Sequence, residues 1–200
     1  MDDDEGNMRP ATDDDPMRRV MAWIAAAASL SFATVGLANQ NDPRLGPLFE
    51  RLKAAPSAEA AAPEEQAIWR IWHESGSAEI DALMVRGLRA MGTRDLRAAL
   101  AAFDEMVRRA PEFAEAWNKR ATVNYLIGRL PESIADIDRT LALEPRHFGA
   151  LSGLGLVRLA EGEDEKALDA FDRALAVHPN LAGADTHIRA LREKLRGRRI

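Results

Sequence analysis

"EPRHFGALSGLGLVRLAEGEDEKALDAFDRALAVHPN", residues 144–180, begins on Glu144-Pro145 and closes on His178-Pro179, with the two prolines thirty-four residues apart. Pro111 precedes Pro145 by the same interval. Blocks of that length, 80–113, 114–147 and 148–181, align residue types as well as prolines. Position 4 holds Leu83, Trp117 and Leu151, and position 8 holds Gly87, Ala121 and Gly155. Position 20 holds Ala99, Ser133 and Ala167, and position 24 holds Phe103, Ile137 and Phe171.

Each block reads as two helices, A and B, joined by a short turn. Small residues at positions 8 and 20 let A and B approach closely, while positions 4 and 24 fill the space beside them. The proline removes an amide donor and ends helix B. Gly128 and Gly162, at position 15, stand where the chain leaves helix A and a left-handed residue costs least. Arg94 takes that position in the first block, so its turn is expected to be shaped differently. One hairpin cannot bury its apolar face alone, so the blocks must stack.

This pattern resembles the tetratricopeptide repeat family over residues 80–181, without a gap. The resemblance implies an all-α solenoid that binds protein or peptide segments on the surface lined by its A helices. Its groove positions, carried onto this chain, are Asp81, Met84, Leu88 and Met91, then Glu115, Asn118, Thr122 and Tyr125, then Gly149, Ser152, Leu156 and Leu159. The binding set expected from these is Met84, Leu88, Met91, Asn118, Thr122, Tyr125, Ser152, Leu156 and Leu159. Chaperone-binding members hold a terminal carboxylate in a lysine-asparagine clamp. Met84, Leu88, Lys119, Gly149 and Gly153 occupy the corresponding positions here, so that clamp is absent.

Composition agrees with helices. Hydrophobic residues make up 46% of the 200 and aromatic residues only 6%; Ala and Leu, both strong helix formers, dominate the apolar set. The net charge of −5 argues against a general nucleic-acid binder. No cysteine is present, which excludes disulfides, thiolate metal sites and cysteine nucleophiles. His73, His147, His178 and His187 show no metal-ligand spacing, and His147 and His178 read as surface residues beside turns. The glycines of "SGLGLVRL" fall inside a helix rather than after a strand, so they form no phosphate loop. Neither an enzyme nor a cofactor is expected.

The flanks complete the outline. Residues 1–16 are acidic and read as disordered if translated, Met8 and Met17 being alternative starts. Residues 17–38 carry Arg18-Arg19, an apolar run from Val20 to about Phe32, and the small residues of Gly36-Leu37-Ala38. That order reads as a secretory signal peptide, with an uncleaved membrane anchor as the alternative. The expected setting is therefore the periplasm or the exterior of a bacterial cell, or the inner membrane facing the periplasm.

Residues 39–79 read as a degenerate helical hairpin capping the first block, with Pro63 kinking its second helix or marking that helix's start. Trp69 and Trp72 cannot both face the core that Ile68 faces, so one is expected at the surface or half-buried against the first block. Residues 182–200 read as a capping helix with a basic tail, its arginines favoured near a helix C-terminus. The function expected is a protein-binding adaptor of the cell envelope, the alternative a membrane-anchored structural subunit of an envelope assembly.

Overall fold

The computed structural model describes residues 39–198, and the acidic lead and the signal-like segment lie outside them. A short 3₁₀ turn, Asn39–Asn41, leads into α1 (Leu45–Ala54) and α2 (Ala58–His73). Three A–B pairs follow: α3 (Ala78–Gly92) with α4 (Leu96–Arg109), α5 (Ala114–Leu126) with α6 (Leu130–Leu143), and α7 (Phe148–Ala160) with α8 (Asp164–Val177). The last helix is α9 (Ala184–Gly197). Among the described residues there is no strand, and no helix is long and apolar enough to cross a membrane.

The period sets the helix ends. Helices α4, α6 and α8 stop at Arg109, Leu143 and Val177, each two residues before its proline. All three A-to-B turns close alike. Asp95 N–H donates to the Ala90 carbonyl at 2.9 Å, Arg129 N–H to Asn124 at 2.8 Å, and Glu163 N–H to Arg158 at 2.9 Å. The position-15 residue is left-handed in each, with φ of 59° at Arg94, 79° at Gly128 and 75° at Gly162. The first turn therefore keeps the common shape, because the hydrogen-bonded turn imposes its backbone on arginine too.

The seams follow the small residues. A Cβ on Gly87 would run into the Phe103 ring, and one on Gly155 would lie 2.6 Å from Phe171 Cζ. In the middle block the Ser133 hydroxyl donates to the Ala121 carbonyl at 2.9 Å, so the two backbones also sit close there. Arg120, at a position often apolar in such repeats, joins two blocks instead. It reaches Asp136 on α6 at 2.6 Å and Asp104 on α4 at 3.1 Å. At the far end α9 lays Ala184, Ile188 and Leu191 on Ala167 and Phe171. Its Lys194 and Arg198 reach the buried carboxylate of Asp164, at 2.8 and 2.6 Å.

The N-terminal hairpin differs from its expected role. It forms, and Ser57 caps α2 by accepting from Ala60 N–H at 3.2 Å. Pro63 lies inside α2 and does not mark its start. The hairpin's apolar face does not stack on the first block as a cap, however. It packs on Phe148, Val177 and Leu181, in the turn regions bounding the third block. Asn180 donates to the Ala55 carbonyl at 2.8 Å, and the Arg146 guanidinium covers the Phe49 ring at 4.3 Å. Upstream, the Gln40 side-chain amide donates to the Glu112 carbonyl at 2.6 Å. Residues 40–73 thus touch all three inter-repeat turns.

Candidate functional site

Two features meet where α2 crosses the first turns of α5 and α7. The first is a buried carboxylate. Glu115 is 1% exposed, on the first turn of α5. Asn118 Nδ2 donates to its Oε2 at 2.9 Å, and Lys119 Nζ lies 2.8 Å from its Oε1. His147 caps α7, its Nδ1 accepting from Ala150 N–H at 3.0 Å. The proton must then sit on Nε2, which donates to Glu115 Oε2 at 2.8 Å. From α2, His73 Nε2 approaches Oε1 at 3.2 Å. Burial alone would raise the pKa of Glu115, but the Lys119 ammonium and the contacts with His147 and His73 outweigh it and hold the carboxyl well below its usual range.

Aromatic rings surround this centre. Trp72 stacks on His147 with centroids 4.1 Å apart, and Trp69 meets Phe148 edge-on at 5.3 Å. Trp69 also rests on bare backbone, since a Cβ on Gly149 would lie 2.6 Å from its Cη2. The expectation for the tryptophans is met in part and displaced in part. Trp72 is fully buried, and Trp69 is half-buried against the third block rather than the first. His147 and His178 were expected at the surface, but both are fully buried. Their place beside the turns is as expected; the hairpin that covers them was not legible from the repeat.

The second feature is a cavity of about 250 Å³ beside Trp69. Asn118, Thr122 and Tyr125 of α5 line it together with Ser152 and Leu156 of α7, so five of the nine expected groove residues converge. The other four do not join them. Met84 is buried in the core of the first block, and Met91 packs against that core. Leu159 packs in the cluster that α9 closes, and Leu88 is exposed without lining the cavity. Their helical register is as expected, but their neighbours differ, because the hairpin walls the groove only beside the second and third blocks. Sequence reasoning missed Glu65 and Trp69, which line the cavity from α2. The half-exposed tryptophan was the one available signal.

The residues carry helix-packing and hydrogen-bonding groups, and among those described no cluster of three or more histidine, aspartate or glutamate side chains could hold a metal. The molecule is a solenoid of helical hairpins with a lined groove on its A-helix side. The model of the tetratricopeptide repeat family matches residues 84–143 and 127–182. A TPR repeat-containing protein of Rhizobium etli is 38% identical over 156 residues, covering 78% of this chain and 76% of its own length. The chain belongs to the tetratricopeptide repeat family.

More distant likenesses cover the repeats. Small glutamine-rich tetratricopeptide repeat-containing protein 2 of Saccharomyces cerevisiae is 25% identical over 100 residues, half of this chain and 29% of that protein. Among solved structures, the first TPR of Spaghetti (RPAP3) bound to the HSP90 peptide SRMEEVD matches with a TM-score of 0.56 at 20% identity, over 58% of this chain and 92% of that one. MamA matches with a TM-score of 0.54 at 20% identity, over 74% of this chain and 82% of its own. These two likenesses concern the fold.

Proposed function

We propose that this chain is a protein-interaction adaptor that holds a peptide segment in the cavity between α5 and α7, with α2 as its third wall. One observation carries the reading: Asn118, Thr122, Tyr125, Ser152 and Leu156, from two separate blocks, converge with Trp69 on one cavity. Tyrosine and tryptophan offer apolar area together with a polar edge, the combination enriched at binding hot spots. The peptide held by the Spaghetti repeat supports the reading as an analogy of fold.

Tyr125→Ala tests it. Asn118 is a poorer choice, because its amide serves Glu115. Tyr125→Ala should weaken capture of partners at least about tenfold, equivalent to about 1.4 kcal/mol. Arg173→Ala on α8, whose side chain is half exposed, should leave capture unchanged. Quantitative affinity purification with both variants and the unaltered chain decides it. Equal recovery by all three, with folded helices by circular dichroism, removes the groove as the binding surface.

The setting proposed is the bacterial cell envelope, supported by Arg18-Arg19, the apolar run and Gly36-Leu37-Ala38. Cleavage after Ala38 would start the mature chain at Asn39. A cell-derived protein whose mass still includes Trp23 rejects cleavage and leaves the anchored alternative.

A further inference from the structure

We infer that the segment accepted by this cavity carries a large apolar side chain next to a basic residue, and that Glu65 is the group that recognises the base. The inference rests on the peptide-binding reading above and adds the chemistry of the segment. A cavity of about 250 Å³ has room for a side chain or two, not for a folded ligand. Ile137, Phe148, Leu156, Leu181 and Trp69 make its walls largely apolar.

Several of the polar groups in the walls are already engaged. The Thr122 hydroxyl donates to the Asn118 carbonyl at 2.9 Å, Ser133 donates to Ala121, and the Asn118 amide serves Glu115. Among the described residues that line the cavity, Glu65 is the sole carboxylate and there is no lysine or arginine. His178 Nε2 meets Glu65 Oε2 at 3.2 Å, yet the Glu65 side chain stays about a third exposed. An incoming cation can therefore reach it.

The charges around the cavity point the same way. Lys119 lies over the Trp69 ring at 5.2 Å, but its ammonium is paired with Glu115 at 2.8 Å. Lys119 and Glu115 thus offset each other, leaving Glu65 as the exposed charge among the described residues of the cavity wall. An acidic peptide would meet net repulsion, while a basic one gains complementarity and a faster encounter. Gly149 and Gly153 offer no side chain with which to hold a terminal carboxylate.

Panning a phage-displayed library of random peptides on the full chain tests the inference, with a recovered peptide whose basic residues are all replaced by glutamate as the acidic counter-probe. Recovered sequences should pair Phe, Leu, Met or Trp with an adjacent Lys or Arg, and the glutamate version should not compete with them. Anisotropy titrations of one recovered peptide should show Glu65→Gln weakening binding by about three- to tenfold, and Glu65→Lys by more. Should Glu65→Gln fail to fold because His178 loses its partner, the peptide supplies the same test: replacing its basic residue by norleucine should cost as much, and added salt should weaken only the basic version.

Acidic binders, an empty selection, or a norleucine peptide that binds as well as its parent would overturn the inference. Loss of binding in Tyr125→Ala alongside an unaffected Glu65→Gln would reject the charge assignment and leave the groove reading standing. Unchanged binding in Tyr125→Ala would reject both.

Discussion

Arg94 carries a left-handed backbone at φ 59°, the conformation that glycine supplies in the other two A-to-B turns. A side chain with a Cβ costs roughly 1–2 kcal/mol there. Glycine would remove that cost but would also gain freedom in the unfolded chain, which offsets part of the benefit. Arg94→Gly should therefore raise stability by about 0.5–1 kcal/mol, with no change in the groove. Denaturant melts measure it, and a midpoint equal to or below that of the unaltered chain would show that the turn does not strain the arginine. Sequence alignment gave the position of this turn. Its geometry came from the hydrogen bonds that close it, which are the same in all three blocks.

At the scale of the element, Gly149 and Gly153 separate two reasons for glycine in one helix. Both lie on α7 and face the groove side, four residues apart. A Cβ at Gly153 would meet only Ile137 Cδ1, at an ordinary 3.8 Å, whereas one at Gly149 would press on the Trp69 ring. Gly153→Ala should be neutral or stabilising by up to about 1 kcal/mol, as helix propensity dictates. Gly149→Ala should cost about 1–3 kcal/mol by overpacking and should loosen α2 in particular. Hydrogen exchange along the chain reads this directly, with the amides of α1 and α2 exchanging faster while those of α3 and α4 hold. Equal exchange in the two variants would mean that Trp69 is not held on Gly149. Nothing in the spacing of either glycine distinguishes them, because the tryptophan arrives from eighty residues upstream.

For the whole molecule, the hairpin changes the usual behaviour of a repeat stack. Blocks in a solenoid contact only their neighbours, and stability is then close to a sum of local terms. Here residues 40–73 touch the turns at Glu112, at His147 and Phe148, and at His178 to Leu181. Glu115 is the centre of that attachment, joining α2, α5 and the cap of α7. Its folded pKa is depressed, so its contribution is complete above the unfolded value near 4.5 and is lost as pH falls through the folded value. Thermal stability should therefore fall below about pH 4.5. Glu115→Gln should cost about 1–3 kcal/mol at neutral pH and flatten the acid slope. A variant whose melting point falls in acid as steeply as that of the unaltered chain would assign the acid sensitivity to other carboxylates.

The sequence by itself determined the repeat: three helical pairs, their proline-terminated ends, the small-residue seams, and the register that lines up Asn118, Thr122 and Tyr125 with Ser152 and Leu156. Those features are local, set by helix geometry and by contacts within one block or between adjacent ones, and a fixed period displays them. The tertiary structure decided where the non-repeating hairpin rests. Its apolar face would suit any complementary surface, and the choice depended on Gly149 leaving room for Trp69, on His147 stacking beneath Trp72, and on Glu115 being met from four sides. The contacts the hairpin itself makes, His73 with Glu115, Trp72 with His147 and Trp69 with Gly149, join residues 42 to 80 positions apart, so no short window along the chain contains them.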